Sequence, residues 1–221
     1  MTRTTQTVDR IYQLLFEHFG PQGWWPGDGP LEICIGAILT QNTNWNNVER
    51  AIANLRAAQA VNVEVLLSVP VDKLAELIRP AGYYNVKARR LRSFLQVVHS
   101  CADGRVETFL TGPLDRVRSR LLAIKGIGPE TADSMLLYAG GHATFVVDAY
   151  TGRILGRHGL IGPGDDYESI KLLMETHLPP DRQLYNEYHA LLVATGKHYC
   201  RPRSPLCYKC PLEPLDHQVE F

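Results

Sequence analysis

The stretch from Leu121 to Asp148, LLAIKGIGPETADSMLLYAGGHATFVVD, limits the possible folds more than any other part of the chain. An apolar helix end, Leu121 to Ile124, turns tightly through Gly126, Ile127 and Gly128. Pro129 then suits the first position of a new helix, because its missing N–H would be unpaired there anyway. Ala132, Met135, Leu136 and Ala139 recur at i, i+3, i+4 and i+7, which predicts one buried helical face. Gly140-Gly141 ends that helix, and Thr144 to Val147, β-branched or aromatic throughout, carries the chain in extended form to Asp148. Two glycines around an isoleucine let the backbone pack closely and leave N–H groups able to grip a phosphate. A lone GxG turn is common, so the specificity comes from what surrounds it.

Apolar residues at helical spacing dominate elsewhere, and no series of alternating strands competes with them, so an all-α fold is expected. The patterns place helices near 5–18, 31–42, 45–57, 71–78, 85–101, 149–157, 166–177 and 181–198. A chain of 221 residues can bury a good core as one domain or as two intimate lobes. Residues 1–10 are polar, which predicts no signal peptide, and the longest apolar run is far too short to span a bilayer. A cytoplasmic, nucleoid-associated monomer with no membrane partner is expected.

The formal net charge is zero, which counts against a protein that coats DNA, but a site-specific enzyme needs only a local basic strip. Lys87, Arg89, Arg90 and Arg92, followed by Arg116, Arg118, Arg120 and Lys125 just before the hairpin, are candidates for such a strip. A plain solvated face is the alternative.

Trp24 and Trp25 sit among chain-breakers in PQGWWPGDGP, and Trp45 opens the helix after LTQNTN with Asn44 as its cap. Two readings stand for these rings: plugs at the edge of the core, or an aromatic wall for a planar ligand. Gln41 lies in the polar break between two helices, where a turn-forming role is the alternative to a functional one. Cys34 reads as inert packing.

Of five cysteines, Cys200, Cys207 and Cys210 fall within eleven residues, followed by Asp216 and His217. In a reducing compartment that clustering points to metal rather than disulfides. Three thiolates on a short loop are convergent soft ligands.

The GIGPETAD hairpin followed by Val146-Val147-Asp148 at the start of a helix resembles the helix-hairpin-helix DNA glycosylases of the endonuclease III superfamily. The resemblance covers most of the chain. It implies two helical lobes, 1–28 with 149–221 and 29–148, with the helix-hairpin-helix at 113–139 and a cleft that has the hairpin and Asp148 at its mouth. It further implies that Lys125, Gly126, Ile127 and Gly128 hold a phosphate of double-stranded DNA carrying a damaged base. Asp148 would face the sugar of the flipped-out nucleotide, and Gln41 would fill the gap left by the extruded base. The tail resembles the family's [4Fe-4S] loop at 200–216, with Asp216 where the fourth cysteine stands. The favoured reading is a [4Fe-4S] cluster with Asp216 as oxygen ligand; a three-iron cluster, zinc with Asp216 or His217, or no metal are the alternatives. Arg201 and Arg203 would meet backbone phosphates.

The chemistry follows from base flipping and from positive charge that builds on the sugar as the N-glycosidic bond breaks. Asp148 is the candidate carboxylate, and an N-cap is its plain alternative. Family members that also cut the backbone carry a lysine two residues after the second hairpin glycine. Here Glu130 stands there, and the amine needed for a Schiff base is missing. Glu130 is kept as a candidate catalytic residue, with a helix-dipole role beside it. The Trp-Trp pair, LTQNTNW and GIGPETAD look like the bacterial 3-methyladenine glycosylases of this superfamily, whose cationic alkylated purines suit electron-rich rings. Gly36 stands where the adenine-mismatch branch has its second glutamate, and the tyrosine of the thymine/uracil-mismatch branch is absent. The expected activity is monofunctional excision of alkylated purines. The rivals are an endonuclease III-like glycosylase for oxidised or mismatched pyrimidines, a non-catalytic damaged-DNA-binding module, and a redox-sensing DNA-binding protein.

Overall fold

The computed structural model describes residues 2–219, and these form helices and turns with no strand among them. In chain order the helices are α1 (Arg3–Phe19), α2 (Pro30–Leu39), α3 (Trp45–Ala57), α4 (Val63–Ser68), α5 (Val71–Leu77), α6 (Tyr84–Ala102), α7 (Val106–Phe109), α8 (Leu114–Leu122), α9 (Pro129–Ser134), α10 (Ala149–Arg157), α11 (Tyr167–His177) and α12 (Arg182–His198). The all-α expectation holds. Two compact units divide them: Trp25–His142, and a terminal unit made of the segments that end at Trp24 and begin at Ala143. The boundaries differ from 28/29 and 148/149, so Asp148 falls in the terminal unit.

The Trp25–His142 unit is built on α2, which is apolar on every side. Ile33, Cys34, Ile35, Ile38 and Leu39 are all buried, as a helix without a polar face must be. Its one carboxylate, Glu32, is 3 % exposed and is held by Arg56 of α3 through hydrogen bonds of 2.7 and 2.6 Å. A buried charge needs such a pair. Asn44 caps α3 as expected, accepting from the Asn47 N–H at 3.1 Å.

Much of the expected basic strip is instead internal scaffolding. Lys87 of α6 is 1 % exposed, and its ammonium donates to the carbonyls of Leu39 at 2.9 Å and Ala81 at 2.7 Å. Arg92 donates to the carbonyls of Leu67 and Val69. Arg118 clasps the buried Asp133 at 2.8 and 3.0 Å. Arg120 donates to the Phe109 carbonyl and lies 4.3 Å over the Phe109 ring. Helix ends leave carbonyls without intrahelical partners, and long cationic side chains reach back to satisfy them. Arg89, Arg116 and Lys125 remain exposed.

The helix expected from Pro129 runs as α9 and then widens into a π-helical turn over Met135–Ala139. The wider turn buries Leu137 and Tyr138 along with Met135 and Leu136, a broader face than the i, i+3, i+4, i+7 pattern allows.

In the terminal unit α1 packs on α12. Val8, Ile11 and Leu15 are fully buried, and the Tyr188 hydroxyl donates to the Val8 carbonyl at 2.8 Å. Residues 144–147 are extended but pair with no strand. The Phe145 N–H donates to Glu175 of α11 at 2.8 Å, while Lys171 neutralises that carboxylate at 2.6 Å.

Candidate active site

The hairpin between α8 and α9 is stapled from inside. Ile124 and Ile127 are buried, and the Ile127 N–H returns to the Ile124 carbonyl at 3.0 Å. Gly126 has φ +95°, and a Cβ there would run into the Arg90 side chain, so both backbone and space demand glycine. Ile127 therefore anchors the turn by its side chain, while Lys125, Gly128 and Glu130 are exposed along it.

Gln41 is gathered into the same hairpin. Its amide donates to the Gly126 carbonyl at 3.2 Å and to the Thr131 hydroxyl at 3.0 Å, and its carbonyl oxygen accepts from Arg90. The residue is a built part of the hairpin, beyond the turn-forming alternative. Thr131 carried no sequence signal for this, because its partner is 90 residues away.

The three tryptophans do not share one unit. Trp25 meets Trp45 edge-on, with centroids 4.9 Å apart, and lies tilted over Tyr138 at 5.0 Å. Trp45 donates its indole N–H to Glu49 at 2.7 Å. Trp24 belongs to the terminal unit, where the Lys197 ammonium stands 5.7 Å from its ring. The Trp25 ring also covers Gly36: a Cβ at 36 would sit 3.2 Å from Cζ2 of the indole. The ring thus takes the space into which a glutamate at 36 would project. Tyr138 was missed because it lies on the side of its helix that the π-turn buries. Tyr83 was passed over as well; it is 72 % exposed with φ +45°, an unusual backbone for an aromatic residue.

Asp148 caps α10. Its Oδ1 accepts the Thr151 N–H at 2.7 Å and the Thr151 hydroxyl at 2.9 Å, and its Oδ2 lies 3.6 Å from Nε2 of His189 in α12. The N-cap reading is therefore met in full by one oxygen.

Cys200, Cys207, Cys210 and His217 line one small cavity in the terminal unit. Burial, above all, pushes the Cys210 thiol up to about 11. Arg157, which is buried, donates to the Cys200 sulfur at 3.2 Å and to the Arg201 carbonyl at 2.9 Å, and Arg153 donates to the Cys200 carbonyl at 2.7 Å. These arginines tie the loop to α10, a role that nothing in their spacing signalled. Asp216 does not line the cavity. Its side chain is fully exposed, 3.9 Å from Arg3, so the carboxylate faces solvent. His217 does line it, and its Nδ1 sits 2.8 Å from the Leu215 carbonyl, which leaves Nε2 as the lone-pair nitrogen. Three thiols and one imidazole fit an iron–sulfur group by donor chemistry. Among the described residues no three His, Cys, Asp or Glu side chains converge on a single-ion site. Arg201 and Arg203 are exposed.

Residues 35–180 match the family model described as HhH-GPD superfamily base excision DNA repair protein. The Methanocaldococcus jannaschii protein MJ1434, whose name provisionally assigns it as a DNA repair glycosylase, is 45% identical over 210 residues, 94% of each chain. The structure of an H. pylori 3-methyladenine DNA glycosylase bound to 1,N6-ethenoadenine superposes with a TM-score of 0.76 at 28% identity, over 89% of this chain and 98% of that one. A trapped endonuclease III–DNA covalent intermediate superposes with a TM-score of 0.83 at 22% identity, over 97% of this chain and 96% of that one, a likeness of fold. With the hairpin, the capping aspartate and the cysteine loop all in place, the chain belongs to the helix-hairpin-helix DNA glycosylases of the endonuclease III superfamily.

Proposed function

We propose that the protein is a monofunctional glycosylase that removes alkylated purines such as 3-methyladenine from double-stranded DNA. The observation that carries the substrate class is the aromatic group of Trp25, Trp45 and Tyr138, in which the Trp25 ring covers Gly36. Electron-rich rings favour a cationic base. A side chain at 36, such as the carboxylate that would protonate adenine, would press on the Trp25 indole, with its Cβ only 3.2 Å from Cζ2. The 28% identical H. pylori relative, solved with a modified adenine, supports the same class.

In this reading the backbone of Gly126 to Gly128 and the Lys125 ammonium hold a phosphate, with Arg201 and Arg203 as a further contact, and Tyr83 offers an exposed ring for stacking. Gln41, fixed to the hairpin, fills the space the nucleotide leaves. The Asp148 carboxylate stabilises the positive charge on the sugar and orients water. An alkylated purine leaves readily, so no general acid is required at the base. Glu130, exposed at the first turn of α9, brings no amine to the abasic sugar, and the reaction stops at base release. Glu130 acts there through charge near the helix terminus rather than through a covalent bond. Cys200, Cys207 and Cys210 would hold a [4Fe-4S] cluster, with His217 rather than Asp216 in the fourth place, and such a group would supply a rigid anchor for the tail.

Incubation with methylated duplex and chromatography of the released bases tests the activity. Release of 3-methyladenine without strand scission is expected. Release of oxidised or mismatched pyrimidines alone would overturn the substrate class, and tight binding with no release would mark a damage-binding module.

A further inference from the structure

The two oxygens of Asp148 have different surroundings. Oδ1 is fully engaged as the cap of α10, accepting both the N–H and the hydroxyl of Thr151. Oδ2 takes no part in the cap and faces Nε2 of His189 at 3.6 Å. His189 is 5 % exposed in the middle of α12, between the buried Tyr188 and Ala190, at a place where an apolar residue would pack without cost.

A neutral imidazole with its lone pair towards a carboxylate would be repelled, so this geometry selects the tautomer with the proton on Nε2. Burial pushes the imidazole below its ordinary value, with Asp148 pulling the other way, and the ring acts as a neutral N–H donor. The separation is longer than a hydrogen bond. Contacts of this kind in unliganded active sites often shorten only when the complex forms.

We propose that His189 is a positioning residue for Asp148, its Nε2–H holding Oδ2 so that the carboxylate meets the developing charge in a fixed orientation. Thr151 alone pins one oxygen and leaves the other to swing. A second donor removes that freedom before the reaction starts, which is the condition for preorganised charge stabilisation. The proposal rests on the reading of Asp148 as the acting carboxylate.

The test compares His189→Met, His189→Asn and His189→Gln with Asp148→Asn in the full-length protein. The readouts are the single-turnover rate of 3-methyladenine release and the Kd for a duplex with a tetrahydrofuran abasic site. Methionine fills the space without a donor, and asparagine stays polar but is too short to reach the Nε2 position. Both are expected to slow release by about tenfold to a hundredfold, the scale of a misplaced reacting group, with Kd unchanged within about twofold. Glutamine places an N–H near the Nε2 position and is expected to recover most of the rate. A His189→Met or His189→Asn rate equal to that of the unmodified protein, or a glutamine variant as slow as these two, overturns the inference while Asp148→Asn stays inactive. An active Asp148→Asn instead overturns the reading on which it rests.

Discussion

The amide nitrogen of Gln41 lies 3.0 Å from the hydroxyl of Thr131, and this bond joins the residue proposed to fill the emptied stack to the first turn of α9, directly after the hairpin. The same amide reaches the Gly126 carbonyl, so hairpin and Gln41 form one rigid piece. Thr131→Val keeps the shape and removes the hydroxyl. Loss of one such bond, about 0.5–1.5 kcal/mol, is expected to slow single-turnover base release by roughly twofold to tenfold. Gln41→Ala is expected to lose more, because it also strands Arg90. Rates for both variants that match the unmodified protein would show that Gln41 has no part in holding the flipped state.

Gly126→Ala should be costly for two independent reasons. Its backbone is in a region that L-residues avoid, and the new methyl group would meet Arg90. A fall of about 1–3 kcal/mol in unfolding free energy is expected from the backbone alone, read from urea midpoints. If the hairpin N–H groups hold a phosphate as proposed, DNA affinity should fall further than stability, since the turn that presents them is the part that shifts. Gly128, where an added Cβ meets open space, is expected to tolerate alanine far better.

These two glycines show what was legible in the sequence. The helices, the hairpin, the caps at Asn44 and Asp148 and the cysteine cluster follow from local pattern, because each is decided by residues a few positions apart. Long-range satisfaction of buried polar groups is not local. Lys87, Arg92, Arg118 and Arg120 read as surface charge, yet they close carbonyls and pair carboxylates that are distant along the chain. His189 carries no sequence mark of its approach to Asp148, because the two are far apart along the chain. Asp216 matched the spacing of a fourth ligand, but spacing does not say which way a side chain points. Trp24 and Trp25 are neighbours in sequence and were expected to act together, but the boundary between the two units falls between them.

Lys87 gives a stability prediction with a defined sign. Burial, chiefly, and then the neighbouring Arg90 push its amine down to about 8 in the folded protein, below its ordinary value of 10.5. Between these two values the unfolded chain binds a proton that the folded chain does not, so this group adds stability as pH rises. Lys87→Met removes the group and leaves the Leu39 and Ala81 carbonyls without their donor, which should cost about 1–3 kcal/mol at neutral pH. The gap between the two proteins is expected to widen from pH 8 towards 10.5. A gap that narrows over that range would contradict the buried, hydrogen-bonded amine.

The tail separates two candidate ligands. His217→Ala is expected to lower iron and acid-labile sulfide per chain and to reduce the thermal midpoint, because its imidazole lines the cavity of the three cysteines. Asp216→Ala should leave iron content unchanged, since its carboxylate faces solvent and Arg3. Colorimetric iron and sulfide assays with visible absorbance decide the matter. The reverse result would return Asp216 to the fourth place.

Glu130 is the sharpest point at which this chain departs from backbone-cutting relatives. It is exposed in the first turn of α9, directly after the hairpin, with its helix anchored by the buried Ala132, Asp133 and Ser134. Exchange of that exposed side chain changes the charge at the helix terminus, a contribution of about 0.3–1 kcal/mol. Glu130→Lys is therefore expected to fold and to bind DNA. Its new amine is the group that attacks C1′ of an abasic sugar, forming an imine with loss of water. Borohydride should then trap a covalent protein–DNA adduct with the variant and none with the unmodified protein. Trapping with the unmodified protein would mean that another amine serves and that base release is not the end of the reaction. An untrapped but well-folded Glu130→Lys would mean that position 130 does not face the sugar, and the monofunctional reading would then lose its physical basis.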